Sequence, residues 1–516
     1  MVKELNELVW YVDNSLWREE ALLAFLSRDK KEPRVIYASL RKHNFRTDAE
    51  AANGIGIGLS SFKKYGKVLK NCLLDMVLFF NDEKAKADYR VKHTIGSYKN
   101  SAIAKTLLSL GYRAAGREVA EQLLRKGLEF DCPEFVVEAA LLLKECTART
   151  NGSAADFERC AHLHRQYKDW LDLEHRALEY YQRITLFSQK KVGVSGHSPD
   201  RTECYIRELK PYAFKVPSFK FHLCYFLILN HYCLETFDYQ GLLQRCTEAI
   251  LFFQTKKYPV SNPLSIFQYM KVVACTYLGR YEEGRVAAEA SLRLASEGAP
   301  SYFKALEAYL YLAVHTRNYV KAFELHQMAV THKRLHAVPE AQQEIWRILG
   351  AYCYILHRLS GTPLPEGFPL FKSSRFCNEV PQSAQDKDGL NIAVLIAHVL
   401  LQLIEGKDLA LWDRLSALSK YRERYLRDDA YLARSQVFIK ILLVIGKEGY
   451  RRDVFLQKVS GLLETLRNLP LQSTNQAHEL EIIPFEHLVA LIAGQFDKRG
   501  RGLRENSASF AVFSPI

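Results

Sequence analysis

Residues 302–329 read YFKALEAYLYLAVHTRNYVKAFELHQMA. Tyr302, Leu306, Tyr309, Leu310 and Ala313 recur at the spacing that gathers side chains onto one stripe of a helix. The pattern resumes at Tyr319, Ala322, Phe323, Met328 and Ala329 after the short connection Thr316-Arg317-Asn318. A connection that short favours antiparallel neighbours. The stretch reads as a pair of helices joined by a tight turn.

The same pattern recurs upstream, as a tyrosine after a turn residue, a small residue three positions on, and Ala or Ser seven positions beyond. Asp238-Tyr239-Gln240-Gly241-Leu242 leads to Ala249, and Gly279-Arg280-Tyr281-Glu282-Glu283-Gly284 leads to Ser291. Asn318-Tyr319-Val320-Lys321-Ala322 leads to Ala329. Positions 242, 284 and 322 lie 42 and 38 residues apart, the first holding Leu. Leu110-Gly111-Tyr112-Arg113-Ala114-Ala115 is an earlier, weaker copy. A tyrosine at the joint fills the space between two helices, and a small residue lets them approach.

Over residues 220–335 these hairpins resemble tetratricopeptide repeats, with the turn, the tyrosine, the small residue and the later Ala kept in part. An early aromatic in the first helix and a proline after the second are not regularly present, so the repeats are degenerate. The resemblance implies an all-α fold, an α-solenoid of antiparallel helix pairs with a groove for partner proteins. From Arg375 to Ile441 the chain is also similar to the C-terminal part of a group of bacterial helical-repeat proteins without an assigned activity. Asn378-Glu379-Val380-Pro381, Asp386-Lys387, Asn391, Arg424-Tyr425-Leu426 and Phe438-Ile439-Lys440 carry that likeness.

Five regions are expected: an N-terminal helical or capping region at 1–97, repeats at 98–360, a proline-rich connection at 361–388, a helical block at 389–496 and a basic tail at 497–516. Helix candidates in the first region are Ser15–Ser27, Pro33–Asn44 and Ser61–Phe80. Pro133 opens another helix at its first turn, Ala154–Phe187 reads as one long helix or a tight pair, and Lys190–Glu203 as a loop. After the connection, helices are expected at Leu390–Glu405, Leu409–Arg427, Tyr431–Ile445, Arg452–Leu469 and Glu479–Ala493. The connection holds Pro363, Pro365, Pro369 and Pro381, yet also Leu364, Phe368, Leu370, Phe371 and Phe376. Prolines bar a helix there, and the apolar residues favour a strap packed on the helices over an open binding loop.

Hydrophobic residues make up 48% of the 516 and charged residues 25%, values of a folded chain. The net charge of +13 is dispersed over the sequence, so a basic surface, a nucleic acid and an acidic protein all fit it. The eleven cysteines are odd in number, form no CxxC pair, and several, such as Cys224 and Cys233, fall in apolar helical runs, which predicts reduced buried thiols and a cytoplasmic protein. The N-terminus does not read as a signal peptide. One of the longest mainly apolar stretches, Leu390–Ile404, is too short and too mixed to span a bilayer.

No catalytic, cofactor or metal site is expected. Gly54-Ile55-Gly56-Ile57-Gly58 lacks both the spacing and the preceding strand of a dinucleotide loop. His162 and His164, beside Cys160, diverge on a helix and cannot readily share an ion, with His175 more distant. Ser195 lies outside any nucleophile-elbow context, and the adjacent pairs Glu282-Glu283 and Asp428-Asp429 diverge on a helix.

The reading that remains is a non-catalytic interaction scaffold that binds a partner peptide or helix. The candidate contact residues are Gln268, Tyr277, Tyr309 and His315 on the repeats and Phe368 and Phe371 on the connection. The alternative is a nucleic-acid-associated regulator using Arg41, Lys42, Arg46, Lys63, Lys64, Lys67 and Lys70. The partner and the oligomeric state are left open.

Overall fold

The computed structural model describes residues 1–14, 31–78, 89–150, 152–188, 199–213, 215–379, 390–426, 433–448, 450–469 and 481–496. All regular secondary structure among them is helical, as the periodicity requires. The expected helix at Ser15–Ser27, the tail from 497, Ser195, Pro381 and Asp428-Asp429 lie outside the described residues. No described helix is long and apolar enough to cross a membrane. The chain forms two compact units, Met1–Asp172 and Leu173–Ile516.

In the first unit, α1 (Val2–Asn14), α2 (Lys31–Lys42), α3 (Asp48–Ile55) and α4 (Leu59–Leu78) share one core. Leu5, Val9, Ile36, Leu40, Phe62, Leu69 and Leu73 meet in it, each recurring at helical spacing along its own element. Thr47 caps α3 by accepting a hydrogen bond from the Glu50 amide at 3.2 Å. Gly56 ends that helix at φ 76°, so the glycine cluster at 54–58 is a helix stop. A second core gathers α5 (Tyr89–Ser109), α6 (Arg113–Glu129) and α7 (Pro133–Arg149) around Leu123, Phe135, Val136 and Leu143. The long helix α8 (Ala154–Ser188) follows as one unbroken element, and the boundary between the units falls within it.

The second unit holds α9 (Pro199–Leu209), α10 (Phe219–Glu235), α11 (Tyr239–Gln254), α12 (Ser261–Leu278), α13 (Tyr281–Leu294), α14 (Pro300–His315), α15 (Tyr319–Val330) and α16 (Glu340–Ser360). From α10 to α16 each helix packs against the next. The turns of the motif share one construction. Phe237, Gly279 and Arg317 each adopt a left-handed backbone, with φ of 57°, 68° and 62°. The next amide then reaches back five residues: Asp238 N to Cys233 O at 2.8 Å, Arg280 N to Cys275 O at 2.9 Å and Asn318 N to Ala313 O at 2.7 Å. This 6→1 bond is the Schellman stop of a helix. Tyr112 N to Leu107 O at 2.9 Å repeats it in the first unit.

The small positions of the motif are close contacts. A Cβ on Gly284 would stand 2.7 Å from Leu312 Cδ2 and 2.8 Å from Cys275 Cβ, which a real side chain cannot do. Ala249, Ser291, Ala322 and Ala329 are buried. The turn tyrosines bridge to the following pair of helices, where Tyr239 stacks on Tyr277 at 4.5 Å and Tyr281 bonds the Tyr309 hydroxyl.

Beyond Ser360 come α17 (Ser373–Glu379), α18 (Leu390–Glu405), α19 (Asp408–Tyr421), α20 (Ala433–Glu448), α21 (Arg452–Asn468) and α22 (485–496). One apolar cluster runs without a break from Cys233 on α10 to Phe496 on α22. The apolar run of α18 lies wholly inside it, with Ile392, Ile396, Leu400 and Leu403 fully buried. Three sequence-derived boundaries need correction. The expected loop at Lys190–Glu203 gives way to helix at Pro199, which sits in the first turn where its missing N–H costs nothing. The last helix, expected from Glu479 (outside the described residues), begins at 485 after the non-helical 481–484, where Pro484 bars helix on its N-terminal side. The helix from Asp408 ends at Tyr421 and passes into a π turn, Arg422–Leu426.

Candidate functional site

The six candidate contact residues do not form one surface. Tyr277 and His315 meet edge to face at 6.0 Å and line a small void of about 20 Å³. His315 Nε2 lies 3.1 Å from the Glu481 carbonyl, so the ring ties α14 to the segment before α22. Tyr309 is 2% exposed, and Lys321 Nζ stands 5.8 Å from its ring centroid. Its ring is core and has no face to offer a partner. Gln268 is half-buried on α12 and lines neither this void nor the larger cavity.

Phe368 and Phe371 do come together, in the wall of a cavity of about 370 Å³. Helix α15 supplies His326 and Val330, one turn apart. Helix α16 supplies Gln343, Trp346, Arg347 and Gly350, spaced so that all four share one face. Leu335 enters from the 3₁₀ turn Leu335–Ala337 between them. Residues 368–376 close the opposite side.

Each wall has a local cause. Gly350 lets α15 come close, since a Cβ there would meet His326 Nε2 at 2.9 Å. The prolines at 363, 365 and 369 keep the connection extended, and Gln327 Nε2 holds it by donating to the Glu366 carbonyl at 2.9 Å. Phe368 then lies 5.4 Å from the His326 ring, Phe371 stacks on Tyr354 at 4.9 Å, and Phe376 packs edge-on to His398 at 5.6 Å. The described part of the connection is therefore a strap on the helices, although Leu370 within it is 84% exposed.

The cavity wall is mainly apolar, and two buried polar atoms of opposite kind lie on the residues that form it. His326, 5% exposed, has Nε2 at 3.1 Å from the Trp346 carbonyl, so Nε2 carries the proton and donates. Burial pushes the imidazole down to about 4 and keeps it neutral. Its Nδ1 is then an acceptor, with no hydrogen-bond partner among the described residues. Trp346, 1% exposed, presents Nε1–H, a donor equally without a partner there. A buried donor or acceptor left unpaired costs about 1–3 kcal/mol, but both atoms are closed off from the cavity, which touches the carbon faces of these rings. Arg347, Lys372 and Arg375 are exposed at the rim and make it cationic.

The sequence pointed to Phe368 and Phe371 but not to His326, Trp346, Arg347, Lys372 or Arg375. The legible signal was the shared face of Gln343, Trp346, Arg347 and Gly350. Among the described residues no three His, Cys, Asp or Glu side chains gather as a metal site would need. No protein-family model, curated protein or solved structure matches this chain.

Proposed function

We propose that this chain is a non-catalytic interaction scaffold, a TPR-like α-solenoid of helix pairs that captures a segment of a partner protein in the cavity beneath the strap. The repeated Schellman turns, the close contacts at Gly284 and the unbroken apolar cluster from α10 to α22 support the repeat reading. The observation that carries the binding reading is the open, mainly apolar cavity between α15, α16 and the strap, walled by Trp346, Phe368, Phe371 and Phe376. Pockets of this size, with few polar groups in an apolar lining, are where organic groups bind. Panning a random peptide library on the intact chain tests it. Selected peptides should bind the wild type and lose affinity when Leu335→Trp fills the cavity. If no peptide is enriched, or if binding is indifferent to Leu335→Trp, the reading fails.

A second reading is favoured by an open cleft of about 1050 Å³ in the first unit, lined by Lys3, Arg41, Lys42, His43 and Arg46 beside Phe45. Cations around an aromatic suit single-stranded nucleic acid. Lys63, Lys64 and Lys67 are exposed on α4, while Lys70 pairs with Glu4. Gel-shift titration at two salt concentrations checks this reading, because such binding weakens steeply with salt. Absence of a shift at low salt rules it out.

A further inference from the structure

The cavity beneath the strap selects its guest by shape and by charge, given the reading of it as a partner-binding site. Its aromatic walls are Trp346, Phe368, Phe371 and Phe376. At about 370 Å³ it stands near the small end of the roughly 300–1,000 Å³ of pockets for organic groups. A recess of that size takes a protruding side chain, not a folded surface. The aromatic walls favour a bulky apolar one, by buried area and by ring contact. Arg347, Lys372 and Arg375 line the mouth from exposed positions, and no acid lines the cavity. Lys333 and Arg334 are exposed beside Leu335, which enters from the turn. The acids next in sequence to lining residues, Glu324, Glu344 and Glu366, do not line it, and Glu324 is paired with Lys321 at 3.0 Å. Arg347, Lys372, Lys333 and Arg334 make no ion pair among the described residues. Unpaired cations around an apolar mouth match a guest that carries anions beside its apolar part. A second copy of this chain, at +13, is a poor match in charge.

We infer that the cavity takes one bulky apolar side chain, a phenylalanine, tryptophan or leucine, set in an acidic segment of a partner protein. The apolar side chain enters between α15, α16 and the strap. The carboxylates on either side of it stay in solvent and face Arg347 and Lys372. Burial of the apolar side chain supplies most of the affinity. The rim charges choose among apolar segments, because a basic flank meets like charges there. Leu370 lines the cavity yet is 84% exposed, so the outer edge of the mouth offers the segment a further apolar contact.

Fluorescence anisotropy with the full chain tests this. The probes are labelled peptides with Glu-Asp on one side and Asp-Glu on the other of a central Phe or Ala, and a Phe peptide flanked by lysines. The acidic Phe peptide should bind about tenfold or more tighter than the acidic Ala peptide, through its buried ring. It should also bind about tenfold or more tighter than the lysine-flanked peptide. Raising the salt from about 0.05 M to about 0.5 M should weaken it several-fold. Arg347→Glu and Lys372→Glu, at exposed positions, should each weaken the acidic Phe peptide several-fold and strengthen the lysine-flanked one. General damage to the fold would not give that reversal. Equal affinity for acidic and lysine-flanked Phe peptides overturns the inference, as does equal affinity for Phe and Ala. No measurable binding of the acidic Phe peptide also overturns it. If dodecanoate binds the cavity more tightly than every peptide, the guest is a small amphiphile and the inference falls. In each of these cases, library peptides sensitive to Leu335→Trp would leave the capture reading standing, and their absence would end both.

Discussion

Arg434 on α20 and Glu481 before α22 form a buried two-point ion pair, Nε to Oε2 and Nη2 to Oε1 both at 2.8 Å. Their side chains are 6% and 9% exposed. The same guanidinium bonds Glu486 and donates to the carbonyls of Leu466 at 2.6 Å and Leu469 at 2.9 Å. One side chain thus ties the end of α21, the segment before α22 and the first turn of α22 to α20. Burial raises the Glu481 carboxyl above the usual carboxylate range even beside this partner.

Arg434→Met should therefore cost about 3–5 kcal/mol, since it strands a buried carboxylate and two carbonyls. The double variant Arg434→Met, Glu481→Leu should recover part of that loss. Urea unfolding of both measures the difference, and a loss under about 1 kcal/mol for the single change would show that the pair is not a structural tie.

Acid should weaken the second unit well before ordinary carboxylates titrate. Burial pushes His315, His326, His398 and His487 down to about 4 from 6.5. Between those values the unfolded chain binds more protons than the folded one, so stability rises with pH there. The contribution is complete above 6.5 and drains away as pH falls towards 4. Glu307 and Glu481, whose carboxyls burial raises, act in the opposite sense with two groups against four. Melting temperatures across pH 4–7 should fall on acidification, and His398→Leu should flatten the slope.

Two glycines should respond to alanine with opposite signs. Gly279 has a φ of 68° with open space around it, so Gly279→Ala pays for the left-handed backbone alone, about 1–2 kcal/mol. Gly461 lies inside α21, also in open space and with an ordinary helical backbone, so Gly461→Ala should stabilise by about 0.5–1 kcal/mol. Thermal shifts of the same sign for both would contradict the turn geometry.

The thiols should divide by burial. Burial raises Cys224 to about 12 and Cys233 and Cys275 to about 11, and it raises Cys246 and Cys353 as well. Cys204 is the exposed one among the eleven free cysteines. Native alkylation followed by peptide mapping should label Cys204 first and leave these five unlabelled until the chain unfolds.

The helices of this chain were legible because their causes are local. The stripe at Tyr302, Leu306 and Tyr309, and the turns before Tyr239, Tyr281 and Tyr319, need only neighbouring residues to be read. The cavity was half legible for the same reason. Phe368 and Phe371 stand out among prolines, where apolar residues call for a surface to cover. His326 and Trp346 could not be paired from sequence, because their unpaired atoms are defined by what the fold fails to place beside them. Tyr309 shows the converse. Its spacing put it on a helix face, but whether that face met solvent or the turn tyrosine of the preceding pair depended on packing across helices. The latch between His315 and Glu481 spans 166 residues, beyond the reach of any local pattern.

The indole N–H of Trp346 gives the most direct test of binding beneath the strap. The chain has five tryptophans, so an indole-labelled sample yields few signals, and Trp346→Phe assigns the one that matters. Adding a library-selected peptide to the intact protein should shift the Trp346 signal, because its ring forms part of the cavity wall, and leave the other indoles in place. A peptide that binds while the Trp346 signal stays where it was would contradict the cavity as the site of capture.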